Sequence, residues 1–381
     1  MRASAETDVG FMREALSLAE SQLGLTTPNP SVGCVIVRLG VVIARGVTAV
    51  GGRPHGETQA LDAAGSKARG ATAYVSFEPC AHVGQTPPCA VALVDAGIKR
   101  VVVACLDPDP RVKGRGIAIL KRAGIEVTTG VLEEEAKRLN EGFMTRIMHG
   151  RPRGILKLAM SLDGRIAPAP GDSQPRSRWI SSAVSRAMVH RWRRECDAVM
   201  VGAGTVIADN PRLTCRIAGG RDPIRVVIDA QLRTAPTALV YRERSKAPAI
   251  IVTTQRNLAR ARRKYERAGV EVIAVNIRHG ELALDELMQD FGRRGWCNVL
   301  IEGGAKLAGS ALGAGIVDRL AFFVAPKILG AGLPAIDATS AHWVRGAPEL
   351  SDFTARRVGD DWLLEGRLAK RNKRASRRKV R

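Results

Sequence analysis

The sequence predicts two α/β domains joined end to end. Three observations carry that expectation. A chain of 381 residues is longer than one hydrophobic core usually organises. Short apolar runs of strand length alternate with helix-spaced patterns in both halves. The helical pattern that runs to Ile147 is followed by Gly150-Arg151-Pro152, after which a fresh strand pattern opens at Ile155. Residues 1–150 and 151–367 are therefore expected to fold as separate domains, with 368–381 as a basic, disordered tail.

In order, Phe11, Met12, Ala15, Leu16, Leu18 and Ala19 recur at helical spacing and stop near Gly24. Thr27-Pro28-Asn29-Pro30 is a stiff loop in which Asn29 is either a turn former or an amide offered to a ligand. Strands are expected over 32–38 and 41–47, joined by the turn Leu39-Gly40, then over 73–77 and 101–104. Helical runs fall over 57–64 and 90–96, and one polar helix is expected over 132–147. Such alternation gives an α/β sandwich with its chemistry at the carboxyl ends of strands. In the second half, strands are expected over 155–160, 197–201 and 298–301, and helices over 182–194 and 305–312. Gly202-Ala203-Gly204-Thr205 is read equally well as a tight turn or a phosphate loop. Glu302-Gly303-Gly304 lies between a strand and a helix, where free N–H groups and the helix end favour phosphate. Neither carries the full dinucleotide fingerprint.

The first half is organised around Pro54-His55-Gly56-Glu57 and Glu78-Pro79-Cys80-Ala81-His82-Val83-Gly84-Gln85-Thr86-Pro87-Pro88-Cys89. His55, Cys80 and Cys89 form a three-ligand zinc set. Three protein ligands leave a fourth tetrahedral position for water, which zinc acidifies to a pKa of about 7. Glu57, two residues after the histidine, has the position of the proton shuttle in zinc nucleobase deaminases. His55 and Cys89 each stand at the start of a helical run, where the helix end favours a thiolate. His82 is read as a substrate-side or loop residue, since a fourth protein ligand would close the site to water. The chemistry expected is hydrolytic deamination.

Composition narrows the alternatives. A hydrophobic fraction of 45% and a charged fraction of 25% are those of a globular protein. Aromatic residues make up 4%, too few for a stacking platform for single-stranded nucleic acid. The net charge is +22, and Arg367–Arg381 alone holds nine Lys or Arg and no acid. That tail reads as a solvated extension, with a polyanion-binding arm as the minority reading. Seven cysteines do not read as a disulfide framework. Glu6 and Asp8 interrupt the N-terminus, so no signal peptide and a cytoplasmic location are expected.

With these motifs in place, the chain resembles the bifunctional deaminase–reductase family of riboflavin biosynthesis from about Phe11 to Leu364. Besides the zinc motifs, the resemblance rests on Pro28-Asn29-Pro30, Leu139-Asn140, Arg151-Pro152, Ser161-Leu162-Asp163-Gly164, Gly204-Thr205-Val206 with Ala208-Asp209, and Glu302-Gly303-Gly304. It implies a cytidine-deaminase-like α/β/α sandwich followed by a dihydrofolate-reductase-like α/β domain. The first would exchange an amino group of a phosphoribosylated diaminopyrimidine for oxygen, and the second would reduce the ribosyl group to ribityl with NADPH. On the substrate side it implies Asn29 and His82 in the deaminase, and Ser177, Arg193, Leu213, Arg216 and Glu302 in the reductase. Against NADPH it implies Ala159, Trp179, Thr205, Asp209 and the run Gly304, Ala305, Lys306, Leu307, Ala308, Gly309 and Ser310. Arg193 and Arg216 would be cationic forks for the ribose phosphate. Lys157 and Glu302 are candidates for moving protons at the sugar C1, although Lys157 could equally be a phosphate or cofactor contact. A homo-oligomer, dimer or tetramer, is expected, with a phosphorylated pyrimidine as the small-molecule partner.

The chain departs from the family pattern at four positions. Gly56 replaces an alanine, Thr48 a histidine, Gln85 a lysine or arginine, and Asp109 an asparagine. The last three are expected to face the deaminase substrate, so a specialised paralogue with a changed substrate stays open. A second alternative is an RNA or tRNA base deaminase with an accessory domain, but its cysteine spacing is shorter.

Overall fold

The computed structural model describes residues 2–82, 87–110, 112–168, 179–243, 245–337 and 347–369. Two compact units divide the chain, Met1–Pro152 with Gly292–Cys297, and Arg153–Phe291 with Asn298–Arg381.

The first unit opens with helix α1 (Arg2–Ser21) and strands β1 (Gly33–Arg38) and β2 (Val41–Val47). Leu39 and Gly40 have φ of 51° and 77°, the left-handed pair that a tight hairpin turn requires. Helix α2 (Gly56–Ala64), strand β3 (Thr72–Val75), helix α3 (Cys89–Asp95), strand β4 (Arg100–Val103), helix α4 (Arg115–Arg122) and strand β5 (Glu126–Thr129) follow. The sheet order is β2-β1-β3-β4-β5. β1 is antiparallel to both neighbours, whereas β3, β4 and β5 run parallel. The parallel strands deliver their carboxyl ends to one edge, where Cys80 follows β3. Cys34, Val35, Ile36, Val101, Val102 and Val103 fill the core against Met12, Ala15 and Leu16 of α1.

The single helix expected over 132–147 is two, α5 (Glu133–Leu139) and α6 (Glu141–His149). Asn140 stands between them with φ −100° and ψ 19°. Its amide accepts from Ser31 N at 2.9 Å and donates to Ser31 O at 3.0 Å. A long-range pair satisfying two buried backbone groups outweighs one more turn of continuous helix.

The second unit contains β6 (Arg153–Ser161), β7 (Arg165–Pro168), α7 (Ala183–Glu195), β8 (Ala198–Gly202), α8 (Ala203–Asp209), β9 (Ile224–Ile228), α9 (Leu239–Arg242), β10 (Ala249–Thr254), α10 (Leu258–Tyr265) and β11 (Glu271–Val275). It continues with β12 (Ile277–Arg278), β13 (Glu281–Leu282), α11 (Leu284–Arg293), β14 (Asn298–Glu302), α12 (Ala305–Gly313), β15 (Arg319–Ala325), β16 (Gly332–Pro334), β17 (Leu350–Val358) and β18 (Asp361–Leu368). Nine strands form one sheet in the order β11-β10-β9-β8-β14-β6-β15-β18-β17. The first seven are parallel and β18 turns antiparallel against β15. Ser182 caps α7 by accepting from Ser185 N, and Asp361 Oδ2 receives both Ser182 N and the Ser185 hydroxyl. β18 runs to Leu368, and most of the basic tail lies outside the described residues.

Candidate functional site

In the first unit, His55 caps α2, Cys80 follows β3 and Cys89 is the first residue of α3. The three ligand atoms lie within 4.8 Å of one another. His55 Nδ1 is 3.2 Å from Cys89 Sγ and 3.7 Å from Cys80 Sγ. Tetrahedral zinc with ordinary Zn–N and Zn–S lengths sets such atoms about 3.6 Å apart, so the donor set fits zinc. The Cys89 thiol, against burial, draws the Cys80 thiol down to about 4, with the His55 hydrogen bond adding to it. The Cys89 N–H also points at Cys80 Sγ, 3.3 Å away, as suits a thiolate.

Glu57 is 3% exposed. Burial raises its carboxyl to about 7, partly opposed by a backbone hydrogen bond. Its Oε2 has no hydrogen-bond partner among the described residues. A buried acceptor left open beside a metal-ligand triad fits a site built to hold water.

Asn29 Nδ2 donates to Gly52 O at 2.9 Å. His82 is exposed, and Gln85 lies outside the described residues. Thr48 does not present itself to a substrate. It is 1% exposed, and its hydroxyl accepts from Val32 N at 3.0 Å. Asp109 is buried, its N–H bonded to Asp107 Oδ1 at 2.8 Å. Glu78, absent from the expected site residues, accepts from the N–H groups of Asp107, Gly114 and Gly116 at 3.0–3.1 Å.

In the second unit, Lys157 of β6 and Glu302 of β14 are register partners on adjacent parallel strands. Arg193 of α7 grips Glu302 through Nε at 2.6 Å and Nη2 at 2.9 Å. Its Nη1 donates to Thr214 O at 3.1 Å. The phosphate fork expected of Arg193 is therefore turned onto a carboxylate. Burial works to raise the Glu302 carboxyl, but the Arg193 and Lys157 charges outweigh it and hold it below the usual range. Burial lowers Lys157, with Glu302 opposing. Arg216 is exposed, and the Leu213 side chain is core, 3% exposed. Ser177 lies outside the described residues.

The two glycine turns of the sequence meet here. Gly303 and Gly304 have φ of 67° and 79°, and a Cβ on Gly304 would stand 3.1 Å from Thr205 Oγ1. The cradle is kept open by missing side chains at the start of α12, which suits the pyrophosphate of NADPH. Ala305, Leu307, Ala308 and Gly309 are buried, while Lys306 is exposed and Ser310 half-buried. Asp209 ends α8, and Ala159 lies on β6 two residues beyond Lys157. The Trp179 ring is stacked by Arg186, 4.9 Å from its centroid. Lys327 Nζ donates to the carbonyls of Trp179 and Ile180 at 3.2 and 2.9 Å.

His190 was missed from sequence. It lies one turn before Arg193 on α7, and its Nδ1 is 3.2 Å from Thr214 O. The i,i+3 spacing from an arginine already singled out was the available signal.

Residues 152–364 match the family model described as the RibD C-terminal domain. The chain belongs to the RibD family. Residues 5–105 match the model of the cytidine and deoxycytidylate deaminase zinc-binding region. The chain is 43% identical to the riboflavin biosynthesis protein RibD of Aquifex aeolicus over 86% of this chain and 89% of that one. The Escherichia coli RibD is 39% identical over 94% and 98%. The solved deaminase/reductase of Thermotoga maritima is 36% identical, covers 96% of this chain and 100% of its own, and superposes with a TM-score of 0.85. These matches make the RibD-family chain a riboflavin-pathway enzyme with a zinc-type deaminase half and an NADPH-dependent reductase half. The reading as an RNA or tRNA base deaminase is not favoured. No helix among the described residues is long and apolar enough to cross a membrane.

Proposed function

We propose that the chain carries out two successive reactions on one phosphoribosylated pyrimidine, each in its own half. Residues 1–150 are assigned to deamination, 151–367 to reduction and 368–381 to a basic tail. In the first reaction the exocyclic C–N bond breaks, water oxygen replaces nitrogen, and ammonia leaves. His55, Cys80 and Cys89 would hold zinc, which supplies a Lewis acid and an acidified water when bound. Glu57 takes the water proton on its open Oε2 and returns a proton to the departing nitrogen. Asn29 and His82 are assigned to orienting the ring and its substituents. The buried Glu57 carboxylate beside the three ligand atoms is the observation that carries this reading.

In the second reaction the ribose ring opens to an imine at C1, with one proton moving to the ring oxygen. NADPH, when bound, supplies the hydride that C1 receives, and the imine nitrogen takes a proton. Lys157 and Glu302 are assigned to these protons. Arg193 holds Glu302 ionised, and Arg216 and the Leu213 backbone are assigned to the phosphoribosyl group together with Ser177. Ala159, Trp179, Thr205, Asp209 and the segment Gly304 to Ser310 are assigned to NADPH.

A cytoplasmic dimer or tetramer belongs to the same reading. The exposed edge strand β17, with Phe353 at 55% exposure, supports self-association. Sedimentation at two protein concentrations tests it, and a monomer at both refutes it.

The decisive experiment incubates zinc-loaded protein with the phosphoribosylated diaminopyrimidine, with and without NADPH, and identifies products by mass. Deaminated product alone is expected without NADPH, and ribityl product with it. An intact exocyclic amine in both mixtures overturns the reading.

A further inference from the structure

We propose that His190 and Asp222 are positioning residues that clamp the Leu213–Arg216 loop in the backbone shape that binds the phosphoribosyl substrate of the reductase. The proposal rests on the reading above that this loop contacts substrate.

Leu213 and Arg216 both lie in the left-handed region, at φ of 58° and 55°. Neither is glycine or asparagine, so each carries the steric cost of its Cβ there. Two such residues within four persist only where surrounding contacts over-determine the backbone. The residues between them supply those contacts. Thr214 O accepts from both His190 Nδ1 at 3.2 Å and Arg193 Nη1 at 3.1 Å. Cys215 N donates to Asp222 Oδ1 at 2.7 Å, and its thiol to His190 O at 3.4 Å. The loop is thus gripped from α7 on one side and from Asp222 on the other, with the Arg216 side chain left exposed.

The chemistry of the grip is defined. A carbonyl oxygen can only accept, so His190 Nδ1 carries the proton and the lone pair of the neutral ring is on Nε2. Burial and then the Arg193 charge push the His190 pKa down, with the Arg216 charge also lowering it and the Thr214 bond and Glu302 opposing. The bond to Thr214 O survives in either protonation state, because Nδ1 is a donor in both. His190 and Arg193 are one turn apart on α7. One helix face therefore holds the Thr214 carbonyl and the Glu302 carboxylate together. That fixes the distance between the end of the substrate that needs a cation and the carbon that is reduced.

The test uses the full-length, zinc-loaded protein, with ammonia release from the same samples as a control for the deaminase half. His190→Ala is expected to raise KM for the phosphoribosyl substrate about tenfold, the worth of one hydrogen bond. KM for NADPH should be unchanged and kcat should change less. Competitive inhibition by inorganic phosphate should weaken in parallel. His190→Asn, whose Nδ2 can donate to the same carbonyl, should recover most of the loss. Wild-type KM in His190→Ala, or an asparagine variant no better than alanine at equal thermal stability, overturns the clamp. Should His190→Ala not fold, Asp222→Ala is measured against Asp222→Asn, which keeps an oxygen for Cys215 N. Equal, wild-type KM values in those two also overturn it. Failure of the wild-type protein to oxidise NADPH with this substrate would instead refute the functional reading on which the clamp rests.

Discussion

Arg193 closes two N–H···O bonds on the two oxygens of Glu302, at 2.6 and 2.9 Å, with side chains only 13% and 11% exposed. Removing one partner of such a pair leaves a buried charge unanswered, at a cost of about 3–5 kcal/mol. Arg193→Ala should lose that much stability in urea unfolding and lose NADPH oxidation, while ammonia release continues in the folded fraction. Arg193→Lys should not recover reduction, because a point charge cannot replace the fork. A stability loss under about 1 kcal/mol would put the pair with exposed ion pairs instead.

Gly56 is fixed by space. A Cβ there would stand 2.4 Å from Val32 O, 3.2 Å from Val47 Cα and 3.3 Å from Thr48 N. Val32 O is also the oxygen that accepts from Thr48 N at 2.9 Å and from its hydroxyl at 3.3 Å. Two positions read from the sequence as departing from the family pattern, 48 and 56, thus meet at one carbonyl. Gly56→Ala should cost about 1–3 kcal/mol by overpacking and weaken zinc retention, since His55 precedes it. Unchanged unfolding and zinc content would show that α2 can retreat freely.

Asp8 should contribute to the acid sensitivity of the first unit. Arg100 holds it with two bonds of 2.8 Å, and Tyr74 donates a third of 2.8 Å. The Arg100 bonds, against burial and aided by Tyr74, keep the Asp8 carboxyl below its ordinary value. A depressed folded pKa means stability that is complete above the unfolded value of about 3.9 and lost as pH falls through the folded one. Stability should therefore drop more steeply below pH about 4 in the wild type than in Asp8→Asn, by unfolding at stepped pH. Parallel curves would remove Asp8 from that role.

Zinc removal should separate the two activities. The ligands come from the cap of α2, the segment after β3 and the start of α3. A chelator should abolish ammonia release and lower the melting temperature of the first unit. Reduction of supplied deaminated substrate should persist, and added zinc should restore deamination. Loss of both activities on chelation would count against separable sites.

Much of this was legible in the chain because the signals were local or carried by motif. The Leu39-Gly40 turn announced its hairpin, and His55, Cys80 and Cys89 announced a metal site through residue type and spacing. Side chains whose meaning lies in a distant partner were not legible. Asn140 breaks a helix for Ser31, 109 positions away, and no periodicity records that bond. Arg193 was rightly noticed as a cation, but its partner Glu302 is also 109 positions away, so its fork was assigned to phosphate. Thr48 looked substrate-facing because its role is set by Val32, 16 positions away and just before β1. The β17–β18 ribbon went unread because the face of β17 is exposed almost throughout.

The carboxylate of Glu78 draws three amides of the 107–116 stretch onto itself, two residues before Cys80. The amides of Asp107, Gly114 and Gly116 and the segment that carries Cys80 thus hang on one shared carboxylate.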